Sequence, residues 1–529
     1  MRQEEEKEMR QSNEFETRRF CRFVFFNLIA CVIAYLLLIS HELTNTIDGM
    51  WSGADYRNYE WVIQIGRWFW PLVGTSQMNV CPEPFTSVFA LSMYVVGSCV
   101  AAWWFGLKDS LKGYLLVLTS LVTTAVCSTL TFRYTSPTFG MAYMLSVLAA
   151  WVLSRDNWKT CLLSITCLVL ALALYQSNIG CACVLALLYI IRQLQDDDDD
   201  KRVIRYFFRF AVSLLCSFIV YKIIWDLTLN LCHIQAVDYR GADSVTVGKI
   251  ITGFPKSFLS TYQEFFRYFF RNELKHSIYQ RLTAFRILLL VLFAVNVILG
   301  ARKLAGKPKL RWLLAAVCLL LIPPAANIAL ILAVDAGEAT IQMTMPIATV
   351  FPFLLCVTDV GECRNRLIKT VDWLRIGIVL VTLYGSFLMV SVDQHVMLKS
   401  RDNATAMMNR VAADLGEDQN PEGGFVFVGK IADNPNFLRD QLWDRANQYA
   451  RYGDFHIFVL WDNRANFSYF GLLRDSGLNL TFNWDNVYWG DMIRREEVQE
   501  MPLYPEDGYI KKIGNTIVVK FADIEEKES

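Results

Sequence analysis

Long apolar runs recur along the chain, most of them about 17–23 residues, the length that crosses a hydrocarbon core of ~30 Å. They lie at Cys21–Ser40, Pro84–Gly106, Tyr114–Phe132, Pro137–Leu153, Thr160–Tyr175, Ile179–Ile191, Phe207–Leu229, Phe285–Gly300, Trp312–Val334, Met343–Val360 and Ile376–Val392. Lipid offers backbone amides no water, so each run has to satisfy its own peptide groups as a helix. The expected fold is an α-helical polytopic membrane protein with about eleven transmembrane helices. Hydrophobic residues make up 54% of the 529, in keeping with that class. The formal net charge of +0 gives no case for a nucleic-acid partner, so the position of the charges is the informative quantity.

Basic residues gather in alternate connections: Arg18, Arg19 and Arg22; Lys108 and Lys112; Arg155 and Lys159; Arg192, Lys201, Arg202 and Arg205; Arg302 to Arg311; and Arg364 to Arg375. The intervening short connections, near Arg133, at Gln176–Asn178 and at Asp335–Gln342, carry almost none. The positive-inside rule then puts segment 1–20 in the cytoplasm and, for an odd count, the chain after residue 393 outside. The opening residues are too polar for a secretory signal, and no cleavable leader is expected. Span centres hold few ionisable groups. Lys222 and Asp226 are exceptions, spaced to pair with each other on a helix. Ion-coupled transport usually needs intramembrane carboxylates or histidines, so a transporter is disfavoured.

Charge instead collects at the outer ends of spans, above all in the loop 41–74. That loop holds Glu42, Asp48, Asp55 and Glu60 with Arg57 and Arg67. Its second half, Tyr56–Leu72, has helical periodicity and reads as one helix lying along the membrane surface. A second outer segment, 230–283, contains the aromatic amphipathic stretch Phe254–Phe270. It suits either interfacial filler or the wall of a lipid-linked substrate site. The acidic run Asp196–Asp200 reads as a solvated turn, with a metal or partner tail as the rival reading.

From Gln394 the composition becomes that of a soluble domain. Thr405–Leu415 reads as helix, and Gly424–Ile431, His456–Leu460 and Thr516–Phe521 as strands, giving a small α/β domain over 394–529 on the outer face. Most of the 14 cysteines lie in apolar runs. Cys81 and Cys232 fall in outer segments, where a bridge or two free thiols are both open.

Several short motifs, in order and between spans, carry a family resemblance. They are Ile47-Asp48 after the first run, Gly66-Arg67-Trp68, Phe132-Arg133-Tyr134 after the third, and Leu174-Tyr175-Gln176-Ser177 at the end of the fifth. Met501–Lys520 resembles the ending of members with an extra C-terminal segment. Together they resemble the bacterial type II glucosyltransferases, which glucosylate O-antigen from polyprenyl-phosphate glucose. The resemblance implies a GT-C-like glycosyltransferase domain over 21–393 in the bacterial plasma membrane. It implies a polyprenyl-phosphate-linked sugar donor, a surface glycan acceptor, and a donor synthase and donor flippase as partners.

On that resemblance Asp48 is cast as general base and Glu42 as a second carboxylate. Arg67 would bind the donor phosphate, with Arg57 and Arg133 as further candidates. Tyr134, Tyr175 and Gln176 would line the cavity. Ile47 stands where many members carry a second acid, so no metal and no cofactor are expected. Bland readings stand beside each role: Asp48-Gly49 is a common turn pair, Arg67 fits a snorkelling cation, Tyr175-Gln176 fits a hairpin cap, and Arg133 an interface anchor. Competing functions are a lipid-linked sugar flippase without catalysis, another transferase or ligase of the same architecture, and a silent assembly subunit.

Overall fold

The computed structural model describes residues 2–44, 59–76, 78–196, 199–237, 247–271, 277–332, 339–358, 365–415, 421–437, 465–475, 477, 481 and 485–524. Within them the chain is mostly helical, with a small sheet near its C-terminal end. Among the described residues six helices are long and apolar enough to cross a membrane: Phe85–Trp104, Gln176–Asp196, Asp200–Cys232, Thr283–Leu304, Lys309–Ala326 and Arg366–Asp414. Leu111–Leu121 and Thr124–Thr131, bent by 52°, make a seventh if taken as one span.

The expectation of about eleven came from run length. Several runs fold into shorter helices: Ser136–Val152 and Trp158–Leu174 have 17 residues and Met345–Val357 has 13. The first run is broken at Tyr35, between helices Arg2–Ala34 and Leu36–Ser40. Burial sorts the long helices. The apolar window of Gln176–Asp196 is 89% buried and that of Asp200–Cys232 only 17%. The first is therefore the bundle's interior, while Phe208, Val212, Leu215, Ile223 and Leu227 of the second form an exposed apolar face suited to lipid.

Helix breaks inside the bundle are closed by buried side chains. The Tyr35 hydroxyl donates to the Leu121 carbonyl at 2.7 Å and accepts from the Thr123 amide at 3.2 Å, so it fills the bend between Leu111–Leu121 and Thr124–Thr131. Gln394 spans the break at Tyr35 itself: its Nε2 donates to the Ala34 carbonyl and its Oε1 accepts from the Leu38 amide, both at 2.9 Å. Arg375, fully buried, donates to the carbonyls of Leu354, Leu355 and Thr358 and so closes the end of Met345–Val357.

The acidic run is more than a solvated turn in its described members. Asp196 pairs with Lys303 at 2.6 Å, Asp199 caps the helix Asp200–Cys232 through the Lys201 and Arg202 amides, and Asp200 pairs with the buried Arg311 at 2.7 Å. Unpaired buried arginine is costly, which explains an acid at that position. Lys222 and Asp226 do pair, at 2.5 Å. The aromatic stretch lies in the helix Val247–Phe270, held by a bond from the Tyr262 hydroxyl to the Leu320 carbonyl. Cys81 is buried, Cys232 is exposed, and no bridge joins them.

Toward the C-terminus, β1 (Phe425–Val428) pairs parallel with β3 (Thr516–Lys520), and β2 (Ile510–Ile513) pairs antiparallel with β3, in the order β1-β3-β2. β3 is the central strand. β2, absent from the expected strands, has two exposed lysines and is joined to β3 through Gly514-Asn515, a hairpin-turn pair. The expected strand at His456–Leu460 lies outside the described residues. The helix expected at Thr405–Leu415 is present as the C-terminal part of Arg366–Asp414, a single element of 49 residues that runs through position 394. Its C-terminal end, through Val396, Ala404, Met407, Met408 and Val411, packs into the apolar core under the sheet.

Tyr35→Phe takes the buried hydroxyl away from the Leu121 carbonyl and the Thr123 amide, which keep only their own bond of 2.9 Å. It should cost about 1–3 kcal/mol, read as a lowered melting temperature of the full chain in detergent.

Candidate active site

The site begins at a helix that stops. Tyr59–Gln64 ends where the Gly66 amide bonds the Ile63 carbonyl at 3.0 Å and the Arg67 amide bonds the Val62 carbonyl at 2.8 Å. This is the paired closure of a Schellman motif, with Gly66 in the left-handed position at φ 86°. The continuous surface helix expected over Tyr56–Leu72 is therefore two short helices, Tyr59–Gln64 and Trp70–Ser76, because glycine at that place ends a helix. The carbonyls the turn exposes are all met. Trp225 donates to Ile63 at 2.8 Å, Gln176 to Ile65 at 3.1 Å, and the Tyr221 hydroxyl to Gly66 at 3.0 Å.

This turn presents Arg67. Its guanidinium lies over the Tyr175 ring at 5.2 Å from the centroid, and its buried Nε has no hydrogen-bond partner. Tyr175 is in turn held edge-on by Phe139, centroids 4.5 Å apart. Gln176 acts on Arg67 indirectly, since its amide is committed to Ile65 and, at 3.2 Å, to the Tyr221 hydroxyl. A bond of 2.9 Å from the Trp70 indole to the Thr135 hydroxyl ties the helix after Arg67 to the short turn Arg133–Thr135.

Arg133 sits on that turn with a buried side chain and donates from Nη1 to Glu42 Oε2 at 2.9 Å. Its Nε is buried and unpartnered. Glu42, directly after the Leu36–Ser40 helix, holds a left-handed backbone at φ 51°, unusual for a residue with a side chain. Arg401 donates to the preceding carbonyl of His41, and the Thr44 hydroxyl to Thr131 at 3.0 Å. Tyr134 is half-buried with its ring against Phe132. Asp48, Arg57 and Asp55 lie outside the described residues.

Sequence reasoning missed Glu83. It stands in Pro82-Glu83-Pro84, just ahead of Phe85–Trp104, and its oxygens accept from the Ser87 amide at 3.2 Å and hydroxyl at 2.8 Å. Burial holds its carboxyl above the ordinary range; Ser87 and the positive Arg133 pull it back, and nearby Glu42 adds to the rise. An acid at a helix start is a readable signal. Its reach to Arg133 is tertiary and could not be read. The chemistry gathered is two arginines with unspent donors and two carboxyls, suited to an anionic substrate that exchanges a proton.

The family described as Glucosyl transferase GtrII matches residues 37–357. The chain belongs to that family. It is accordingly a membrane glycosyltransferase, with glucosyl transfer as its broad activity. The GtrII match opens within the Leu36–Ser40 helix and closes at the last residue of Met345–Val357. Glu42, Arg67, Glu83, Arg133, Tyr134, Tyr175 and Gln176 all fall inside it, and the long C-terminal helix and the sheet fall beyond it. No curated protein and no solved structure matches the chain.

A Cβ at position 66 would collide with the Tyr221 hydroxyl and need a strained φ. Gly66→Ala should cost about 1–3 kcal/mol and lower transfer by misplacing Arg67, checked by melting temperature and initial rate. Folding raises the Glu83 pKa above its ordinary 4.5, so the native state binds that proton more tightly than the unfolded chain. Glu83 therefore opposes stability increasingly as pH climbs from 4.5 through the raised value. Glu83→Gln should gain melting temperature over the wild type across that window and match it below.

Proposed function

We propose that the chain moves glucose from a polyprenyl-phosphate donor to a hydroxyl of a surface glycan on the outer face of the bacterial plasma membrane. The supporting observation is the pair Arg67 and Arg133, two guanidinium groups with buried, unpartnered Nε atoms on turns tied by the Trp70–Thr135 bond. Arginine forks match phosphate oxygens, and buried donors left unspent favour an anionic ligand. Tyr175 would hold the Arg67 plane, leaving its edge for the phosphate.

In the reaction the bond from the glucose anomeric carbon to the phosphate oxygen breaks and a bond to the acceptor oxygen forms. The acceptor proton passes to a carboxylate, and the lipid leaves as a phosphate monoester. The leaving group needs no proton, since the arginines balance its charge, so one base suffices and no metal or cofactor is assigned a role. Asp48 is our assignment for that base, with Glu42 as the second carboxylate. The architecture we assign is GT-C-like, with the N-terminus cytoplasmic and the sheet-bearing end extracytoplasmic. A synthase and a flippase would supply the donor on that side.

Purified full chain in detergent, given polyprenyl-phosphate glucose and a panel of surface glycans, should transfer glucose. Arg67→Gln should cost about 100-fold or more in kcat/KM by loss of a charged phosphate contact, and Asp48→Asn should abolish turnover while donor binding persists. A wild type that binds the donor yet transfers to no acceptor would sink the reading in favour of carriage.

A further inference from the structure

Arg133 carries five N–H donors, and its side chain is only 9% exposed. Yet the single hydrogen bond described for it runs from Nη1 to one oxygen of Glu42. Its buried Nε is unmet. A charge so withdrawn from water and so thinly answered is an incomplete site. The two acids around it differ in how firmly they are held. Glu83 is anchored at a helix start by two bonds from Ser87, itself fully buried. Glu42 has a side chain 60% exposed, on a left-handed backbone. The chain to either side is fastened, by Arg401 at His41 and by Thr44 at Thr131. Rotation of the Glu42 side chain alone therefore frees Arg133, with no movement of the loop.

Resting on the donor reading above, we propose that Glu42 is a resident stand-in for the substrate phosphate: it occupies Arg133 in the empty site, and the phosphodiester of the donor displaces it. One monoanion replaces another, so the charge of the site is preserved. The newcomer has more oxygens in the geometry of the guanidinium fork, which answers donors that Glu42 leaves idle. The displaced carboxylate is then uncommitted beside the reacting bond, where as the second carboxylate it can orient the acceptor hydroxyl. Donor binding thus precedes acceptor activation. After transfer the lipid phosphate is a monoester, whose second ionisation near pH ~6 adds charge. It faces Glu83 and the returning Glu42, which favours release.

The test is equilibrium binding of a short-chain prenyl phosphate, and separately of inorganic phosphate, to the full-length wild type, Glu42→Gln, Arg133→Gln and the double variant. Removing a half-exposed competing carboxylate should tighten both ligands by about fivefold, and the gain should vanish in the Arg133→Gln background. Unchanged or weaker binding in Glu42→Gln overturns the proposal. So does a gain that survives without Arg133, or one seen with the lipid but not with inorganic phosphate. Glu42→Gln is a solvent-facing change and decides the matter even if Arg133→Gln fails to fold. Arg67→Gln separates the two readings: prenyl phosphate binding lost there, with Glu42→Gln unchanged, keeps the donor reading and discards this one. A wild type that binds neither ligand discards both.

Discussion

A helix that breaks where water is scarce must find partners for its exposed peptide groups, and much of this bundle follows from how that is done. At Tyr35 the first helix stops and restarts, and Gln394 answers peptide groups on both sides of the gap. The Tyr35 hydroxyl performs the same service at the bend near Leu121 and Thr123. Each unmet group would cost about 1–3 kcal/mol, so the breaks exist only because these side chains reach them. The short helix after the first break delivers Glu42, and the helix after the second leads to the turn of Arg133.

The site is accordingly built from terminations. Arg67 follows a Schellman closure, Arg133 sits on a short turn between two helices, and Glu83 precedes a helix start. Rigid elements behind these turns fix them: Trp225 and Tyr221 brace the Gly66 turn, and Trp70 joins it to Thr135. Functional groups at element ends can face a cavity while their backbones remain satisfied, which a mid-helix position rarely permits.

What was legible in the sequence follows the same division. Apolar runs announced helices, and charge at span ends pointed to Glu42, Arg67 and Arg133, because a charge at the edge of a membrane needs a reason whatever the tertiary fold. Helix breaks were not legible, since they depend on Tyr35 and Gln394 arriving from elsewhere. Periodicity carries one helix through Gly66 in Tyr56–Leu72, although glycine in that setting is a stop signal. The charged strand Ile510–Ile513 lacks apolar alternation, and only the Gly514-Asn515 pair announces it. Glu83 is not legible as a site residue because its company of Arg133 and Glu42 comes from distant segments.

The helix Arg366–Asp414 has a consequence for how such a chain can change over time. It passes from the apolar bundle into the core beneath the sheet without a hinge. Each residue added to an α-helix advances the axis by about 1.5 Å and turns it by about 100°. A single insertion between Gln394 and Ala404 would swing the sheet around the bundle like a key in a lock, while seven residues would nearly restore its bearing. Length variation in this stretch is thus quantised by helical phase, and the sheet can be exchanged between chains only where that phase is kept.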